Sequence, residues 1–216
     1  MSDCCFDIDC VACPRLSQFL TDLRGQYPHY HNRPVASFGV EQPHLLVVGL
    51  APGMHGANAS SRPFTGDHSG LLLYETLHRF GFASKPVSLS ADDDLELIDC
   101  CITNAVKCLP PQNKPVAAEV KACNPFLAAE INRLPTGAVV IALGSIAHDA
   151  ILRARALKKK DYKFAHNVQH DLGSGLCLVD SYHCSRYNIQ TRRLTTEMFE
   201  AVFANARTLL SQAEDA

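Results

Sequence analysis

The sequence predicts an α/β protein, a three-layer α/β/α sandwich around a central, mostly parallel four-stranded sheet. Three observations carry that expectation. Four short apolar runs, Leu45 to Gly49, Ile98 to Thr103, Ala138 to Leu143 and Leu176 to Asp180, are each bounded by turn residues. Continuous apolarity, without polar alternation, suits strands covered on both faces. Stretches of helical period separate these runs, and alternating strands and helices build a layered domain. The polar constellations also follow strands, where open sheets of this kind hold their ligands.

The elements follow in order. An N-terminal helix is expected over Leu16 to Leu23. The first strand breaks into a turn rich in Gly49, Pro52, Gly53 and Gly56, and a helix runs from Leu71 to Phe80. After the second strand comes a helix over Ala117 to Leu134, with Val120, Phe126, Leu127 and Ile131 as its apolar positions. A Gly144-Ser145 turn follows the third strand and opens a helix over Ile146 to Leu157. The last helix spans Thr195 to Leu210, with Met198, Val202 and Leu209 on one face. No repeat or low-complexity linker divides the chain, so residues 1–216 read as a single domain.

Composition sets bounds. The chain is 47% hydrophobic and 19% charged, ordinary for a globular protein. No apolar run approaches membrane-spanning length. The start, MSDCCFDIDC, has no basic region followed by an apolar stretch, so no secretory signal is read there and a cytoplasmic, intracellular protein is expected. The net charge of −2 does not announce a nucleic-acid binder, although a local basic stripe suffices for one. Arg153, Arg155, Lys158, Lys159 and Lys160 read as a solvated helix end. Arg186, Arg192 and Arg193 flank a polar loop.

Ten cysteines are many for such a chain. In a reducing compartment they suggest metal before disulfides. Cys10 and Cys13 form a C-x2-C chelating pair, and Cys108 and Cys123 lie far downstream. Four thiolates in that arrangement suit zinc or an iron–sulfur cluster. Cys4, Cys5, Cys100, Cys101, Cys177 and Cys184 read as small hydrophobes or incidental thiols.

Three loops carry chemistry: Gly49 to Asp67, Asn104 to Pro115, and Ser181 to Asn188. One site at the sheet's edge would receive Phe64, Asp67, Asn104, Asn113 and His183. Amides read the carbonyl and imino edge of a base, and an aromatic ring stacks on its face. An imidazole can donate to a departing group on which negative charge develops. Asp67 also fits as the cap of a helix beginning near Ser69. Asn104 fits a strand end equally well. His55, His68 and His148 read as solvent-facing or core-satisfied, and Asp92 to Asp94 as a solvated turn.

The joint pattern resembles the uracil-DNA glycosylase superfamily over almost the whole chain, and within it family 5, the iron–sulfur-containing B-type enzymes. The resemblance lies in Gly49-Leu-Ala-Pro-Gly53, His55-Gly-Ala-Asn58, Arg62-Pro-Phe-Thr-Gly-Asp67, Pro110-Pro-Gln-Asn-Lys-Pro115, Ser181-Tyr-His183 and Asn188-x-Gln190-Thr191. Leu50 stands where family 4 carries an acidic residue. Cys184 stands where family 5 usually has proline or valine, and Asn104 is shared with family 4.

The resemblance implies hydrolysis of an N-glycosidic bond in DNA containing uracil or other deaminated bases, after base flipping. Hypoxanthine and xanthine lie within family 5's range, and Asn104 points toward uracil. Phe64 would stack on the base, while Asn104 and the backbone of Gly49, Ala51 and Gly53 would read its edge. Asp67, Asn113 and His183 would be catalytic: Asp67 at the sugar, Asn113 at the water and His183 at the leaving base. Ser185 and Arg186 would hold the DNA backbone. Cys10, Cys13, Cys108 and Cys123 match the ligands of a structural [4Fe–4S] cluster. No lysine nucleophile is implied, so the enzyme would be monofunctional and leave an abasic site; a monomer is expected. A metal-held binding module or a redox carrier would not need Asp67, Asn113 and His183 after separate strands.

Overall fold

The computed structural model describes residues 6–214; Cys4 and Cys5 lie outside the described residues. The four expected strands form the parallel centre of one sheet: β2 (Leu45–Gly49), β3 (Cys100–Asn104), β4 (Val139–Leu143) and β6 (Leu176–Ser181). Two antiparallel edges extend it, β1 (Phe38–Gly39) on β3 and β5 (Gln169–Gly173) on β6. The order is β1-β3-β2-β4-β6-β5, so the sheet has six strands rather than four. The two edges escaped the apolar-run criterion for a physical reason. β1 is two residues long, and β5 reads Gln-His-Asp-Leu-Gly, mostly polar. A short or polar edge is how a sheet avoids pairing with another chain.

Seven helices complete the described residues: α1 (Pro14–Gln26), α2 (Ala57–Ser60), α3 (His68–Arg79), α4 (Ala117–Asn132), α5 (Ser145–Ala154), α6 (Arg186–Gln190) and α7 (Thr196–Glu214). Successive side chains of a strand point to opposite faces. Leu45, Val47, Ile102 and Ile141 therefore join α3 and α7 in one core, through Leu73, Leu77, Phe199 and Phe203. Leu46, Val48, Val140 and Ala142 join α4 and α5 in the other, through Leu127, Ile131, Ala147 and Ile151. A smaller cluster sets Leu16, Leu20 and Leu23 of α1 on Val106 and Leu109, just beyond β3.

This topology makes the site. From β2 the chain moves outward to β3, then crosses back past β2 to β4 and on to β6. The connections leaving β2 and β4 diverge, and a crevice opens beyond the carboxyl ends of the strands at such a reversal. No helix among the described residues is long and apolar enough to cross a membrane.

Candidate active site

A cleft of about 830 Å³ occupies that crevice. The predicted site residues Ala51, Gly53, Phe64, Asp67, Asn104, Asn113, His183, Ser185 and Arg186 all line it. They come from the loops after β2, β3 and β6, and the start of α5 supplies Gly144, Ser145 and Ile146. Gly49 is placed differently. It is buried at the end of β2, beneath Phe64 and Asn104, and does not line the cleft. A Cβ there would stand 2.7 Å from the Phe64 ring and collide with Asn104 Oδ1. Glycine is required because that ring lies directly on the backbone.

Phe64 belongs both to the core and to the cleft. It is buried, and its backbone adopts φ +56°, a left-handed conformation rare for an aromatic residue. The surroundings hold it there. Tyr74 Oη donates to the neighbouring Pro63 carbonyl at 2.8 Å, and the Phe64 carbonyl packs where a side chain on Gly70 would otherwise sit. The ring faces His183 at 6.1 Å between centroids and 26° between planes.

Asp67 caps α3. Its Oδ1 accepts from the Gly70 N–H at 2.8 Å, so the helix begins at His68, three residues before the expected Leu71. Its other oxygen lies against the first loop, where a Cβ on Gly56 would be 2.8 Å from Oδ2. Burial raises the carboxyl above the usual aspartate range, and the Gly70 and Ser69 N–H groups restrain that rise. Capping and exposure to the cleft thus use different oxygens of one carboxylate.

Asn104 ends β3, opposite Gly49 in register, and is 3% exposed. Its Oδ1 is buried with no hydrogen-bond partner. His183 Nδ1 is likewise buried and unpartnered. Burial pushes this imidazole down to about 4, leaving it neutral near pH 7. Native proteins pair almost all buried polar groups, so two unpartnered atoms on residues that line one cleft stand out.

Asn113 sits on a tight turn, Pro111–Asn113, with φ +56° at both Gln112 and Asn113. Ser185 caps α6 by accepting the Asn188 N–H at 3.3 Å, and exposed Arg186 follows it at the cleft rim.

Cys10, Cys13, Cys108 and Cys123 line a second, smaller cavity with Leu16, Val106 and Phe126. Burial and the neighbouring sulfurs push the Cys108 thiol up to about 12. Burial likewise pushes Cys123 up to about 11, although the Lys107 N–H donates to its sulfur at 3.2 Å. Burial raises the Cys13 thiol as well, and thiols held up in this way ionise readily only when a cation lies among them. Among the described residues, only His148, His170 and Asp180 bring three donor atoms all within 4.8 Å of one another. The four sulfurs are therefore spread more widely than the roughly 3.8 Å separations around one tetrahedral zinc. Nearby, Arg15 bonds Glu119 at 2.7 Å and the Lys114 carbonyl at 3.2 Å, joining α1 to α4 and to the turn bearing Asn113.

Several functional supports escaped sequence reasoning. Buried Arg62 pairs with Asp93, bonds Ser88 and the Ala91 carbonyl, and lies 4.3 Å over the Phe38 ring. Asp93 is therefore an anchor for the Phe64 loop, whereas the run Asp92 to Asp94 reads as a solvated turn. Lys107 is buried against Glu130 at 2.7 Å. Cys184 is fully buried, with its sulfur 3.5 Å from the Ser69 carbonyl, linking the His183 loop to the first turn of α3. Its place next to His183 was the one available signal.

The fold, the three loops and the cleft describe a uracil-DNA-glycosylase-like α/β domain, and comparison with known proteins agrees. The family model described as "Uracil DNA glycosylase superfamily" matches residues 36–207. The type-5 uracil-DNA glycosylase of Thermus thermophilus is 44% identical over 205 residues, 93% of each chain. The type-5 enzyme of Mycobacterium leprae is 42% identical, covering 93% of this chain and 91% of that one. Type-4 relatives are more distant: that of Pyrobaculum aerophilum is 36% identical over 62% of each chain. Among solved structures, wild-type Pedobacter heparinus SMUG2 shares the fold, with a TM-score of 0.50 and 14% identity over 90% of this chain and 84% of that one. The chain belongs to the uracil-DNA glycosylase superfamily, on its type-5 side.

Proposed function

We propose that this chain is a DNA-repair glycosylase that hydrolyses the N-glycosidic bond of uracil in DNA and leaves an abasic site. One observation carries the reading: Asp67, Asn104 and His183 meet in a single cleft, and the last two hold buried polar atoms without partners. A duplex hides the bond, so the nucleotide must be turned out into the cleft. There the base lies on the Phe64 ring. Asn104 and the backbone of Ala51 and Gly53 read its edge.

When the bond breaks, its electron pair leaves with the base and positive character develops at the sugar. His183, neutral near pH 7, donates a hydrogen bond to the departing anion without surrendering its proton. The Asp67 carboxylate stabilises the sugar cation. It also orients the water that adds to the sugar, with Asn113 beside it; the proton that water releases passes to solvent, and the freed base anion takes one up there. Each such group is worth about 10²–10³ in rate. Ser185 and Arg186 grip phosphates at the rim. A monofunctional enzyme with no strand-cleaving step goes with this reading, since none of its roles uses a lysine among the described residues that line the cleft.

Cys10, Cys13, Cys108 and Cys123 would hold a [4Fe–4S] cluster, which supplies a structural tie rather than chemistry at the base. Residues 1–216 act as one glycosylase domain. Hypoxanthine and xanthine fall within the reading, with Asn104 favouring uracil.

Incubation with a uracil-containing oligonucleotide, then alkali, tests this. Strand scission at the uracil position supports the glycosylase. Scission without alkali would refute the monofunctional step. No product from uracil, hypoxanthine or xanthine would leave a non-catalytic nucleic-acid module as the better reading.

A further inference from the structure

Behind the cleft wall that carries His183, three ionisable side chains are packed together that the proposed mechanism does not use. Asp180 of β6 is fully buried. Its Oδ1 lies 2.7 Å from Nδ1 of His148 in α5, itself fully buried. Its Oδ2 lies 3.3 Å from Nε2 of His170 in β5. The other nitrogen of His148, Nε2, faces the Tyr162 carbonyl at 3.1 Å.

Both ring nitrogens of His148 therefore face oxygen acceptors. A carbonyl and an ionised carboxylate only accept, and a neutral imidazole has a single N–H. Neutral His148 would point one lone pair at another. A doubly protonated ring satisfies both sides, and the shared proton belongs on the imidazole because it is the more basic partner.

The placement of the pair matters. The Gly144 N–H donates to the Ser181 carbonyl at 2.8 Å, and the His148 N–H donates to the Gly144 carbonyl at 3.1 Å. A closed circuit results: Gly144, the first turn of α5, His148, Asp180, Ser181, and back to Gly144. Gly144, Ser145 and Ile146 line the cleft, and a Cβ on Gly144 would lie 3.6 Å from His183 Cβ.

We propose that the His148–Asp180 ion pair is a positioning device for His183, effective only while His148 is charged. The other groups facing His148 are consistent with this. The His170 ring meets it edge-on at 5.5 Å and Phe164 at 5.6 Å. Asp149 of α5 adds negative charge, partly offset by its bond to Lys159 at 2.5 Å. Burial pulls the His148 pKa down, but the Asp180 hydrogen bond and charge outweigh it, and the net shift is upward. A raised folded pKa means the brace is complete below the unfolded value of about 6.5 and is lost as pH rises through the folded one.

The test has two independent arms, because the rate readout rests on the glycosylase reading and the spectroscopic one does not. Nitrogen-15 NMR of the full chain should show both His148 ring nitrogens protonated at pH 7. The His183 ring signals should move as His148 titrates and in His148→Gln. In single-turnover cleavage of uracil DNA, His148→Gln and Asp180→Asn should each lower the rate about tenfold. Their apparent affinity for DNA should stay within about twofold of wild type, and the alkaline limb of the rate profile should vanish. A His148 nitrogen without its proton at pH 7, or His183 signals indifferent to His148, would overturn the proposal. So would a His148→Gln enzyme with wild-type rate and pH profile. If wild type releases no base, the glycosylase reading fails and the NMR arm still decides this one.

Discussion

Two cavities flank the connection between β3 and α4, and their walls are built on opposite plans. The cleft is large, and its residues Asn104 and His183 each hold a buried polar atom without a partner. The cysteine cavity is small, and ties surround it. Cys123 accepts the Lys107 N–H, and Arg15 joins Glu119 to the Lys114 carbonyl. One wall leaves polar atoms unpaired, as the proposed exchange of a ligand requires; the other is tied on several sides, as the proposed permanent cluster requires. The shared connection carries Cys108 to one cavity and Asn113 to the other. Fixing the first therefore fixes where the second can stand.

The largest expected effect breaks the closed side. Cys108→Ser should abolish the visible absorbance of anaerobically purified protein. It should also lower the melting temperature by about 10 °C or more, since ligand-held metal is folding free energy. Cys100→Ser and Cys177→Ser, outside that cavity, should keep the colour. A Cys108→Ser protein with the same iron content and melting point would remove the tie from the account.

Next in size is the open side. Asp67→Asn keeps an oxygen to accept the Gly70 N–H but loses the charge. Its single-turnover rate should fall about 10²–10³-fold with little change in melting temperature. Asp67→Ala loses the cap as well, adding about 1 kcal/mol of destabilisation. Thermal melts separate the two roles: an equal drop in both variants would show that the carboxylate charge, not the cap, stabilises α3.

The pH dependence is smaller and sharper. With His183 held at about 4 by burial, its imidazole stays neutral from pH 8 to pH 5. The acid limb of the rate should then follow Asp67, whose carboxyl burial raises above the usual range. Stability moves in a defined direction at His183. The unfolded chain takes up its proton near pH 6.5 and the native state only near 4, so the site weakens the fold as pH falls between those values. A rate limb near pH 6.5 that disappears in His183→Gln would contradict the buried, neutral imidazole.

Much of this was legible in the sequence, and the limits have physical causes. The central strands declared themselves because burial on both faces demands continuous apolar runs, as in Leu45–Gly49 and Val139–Leu143. The polar edge Gln169–Gly173 could not, since solvent covers it. The cleft residues were found because they sit in the loops that follow strands, where local motifs survive in one dimension. Arg62–Asp93, Lys107–Glu130 and His148–Asp180 were not found, because each joins residues 23 to 32 positions apart and only folding brings them together. Gly49 was assigned to the base and lies beneath Phe64 and Asn104, because glycine signals close approach without saying of what.

The smallest effect lies at the rim, where Arg186 is exposed beside Ser185. If it only meets a phosphate, Arg186→Ala should weaken uracil-containing and intact DNA alike and leave the rate at saturating enzyme unchanged. The slope of log affinity against log salt should fall by about one unit, the signature of one fewer displaced counterion. A selective loss on uracil DNA, with the salt slope intact, would move Arg186 from the rim into the cleft's own recognition. The contrast between the open cleft and the tied cysteine cavity would then need redrawing, because an exposed side chain would be doing the discriminating proposed for Asn104 and Phe64.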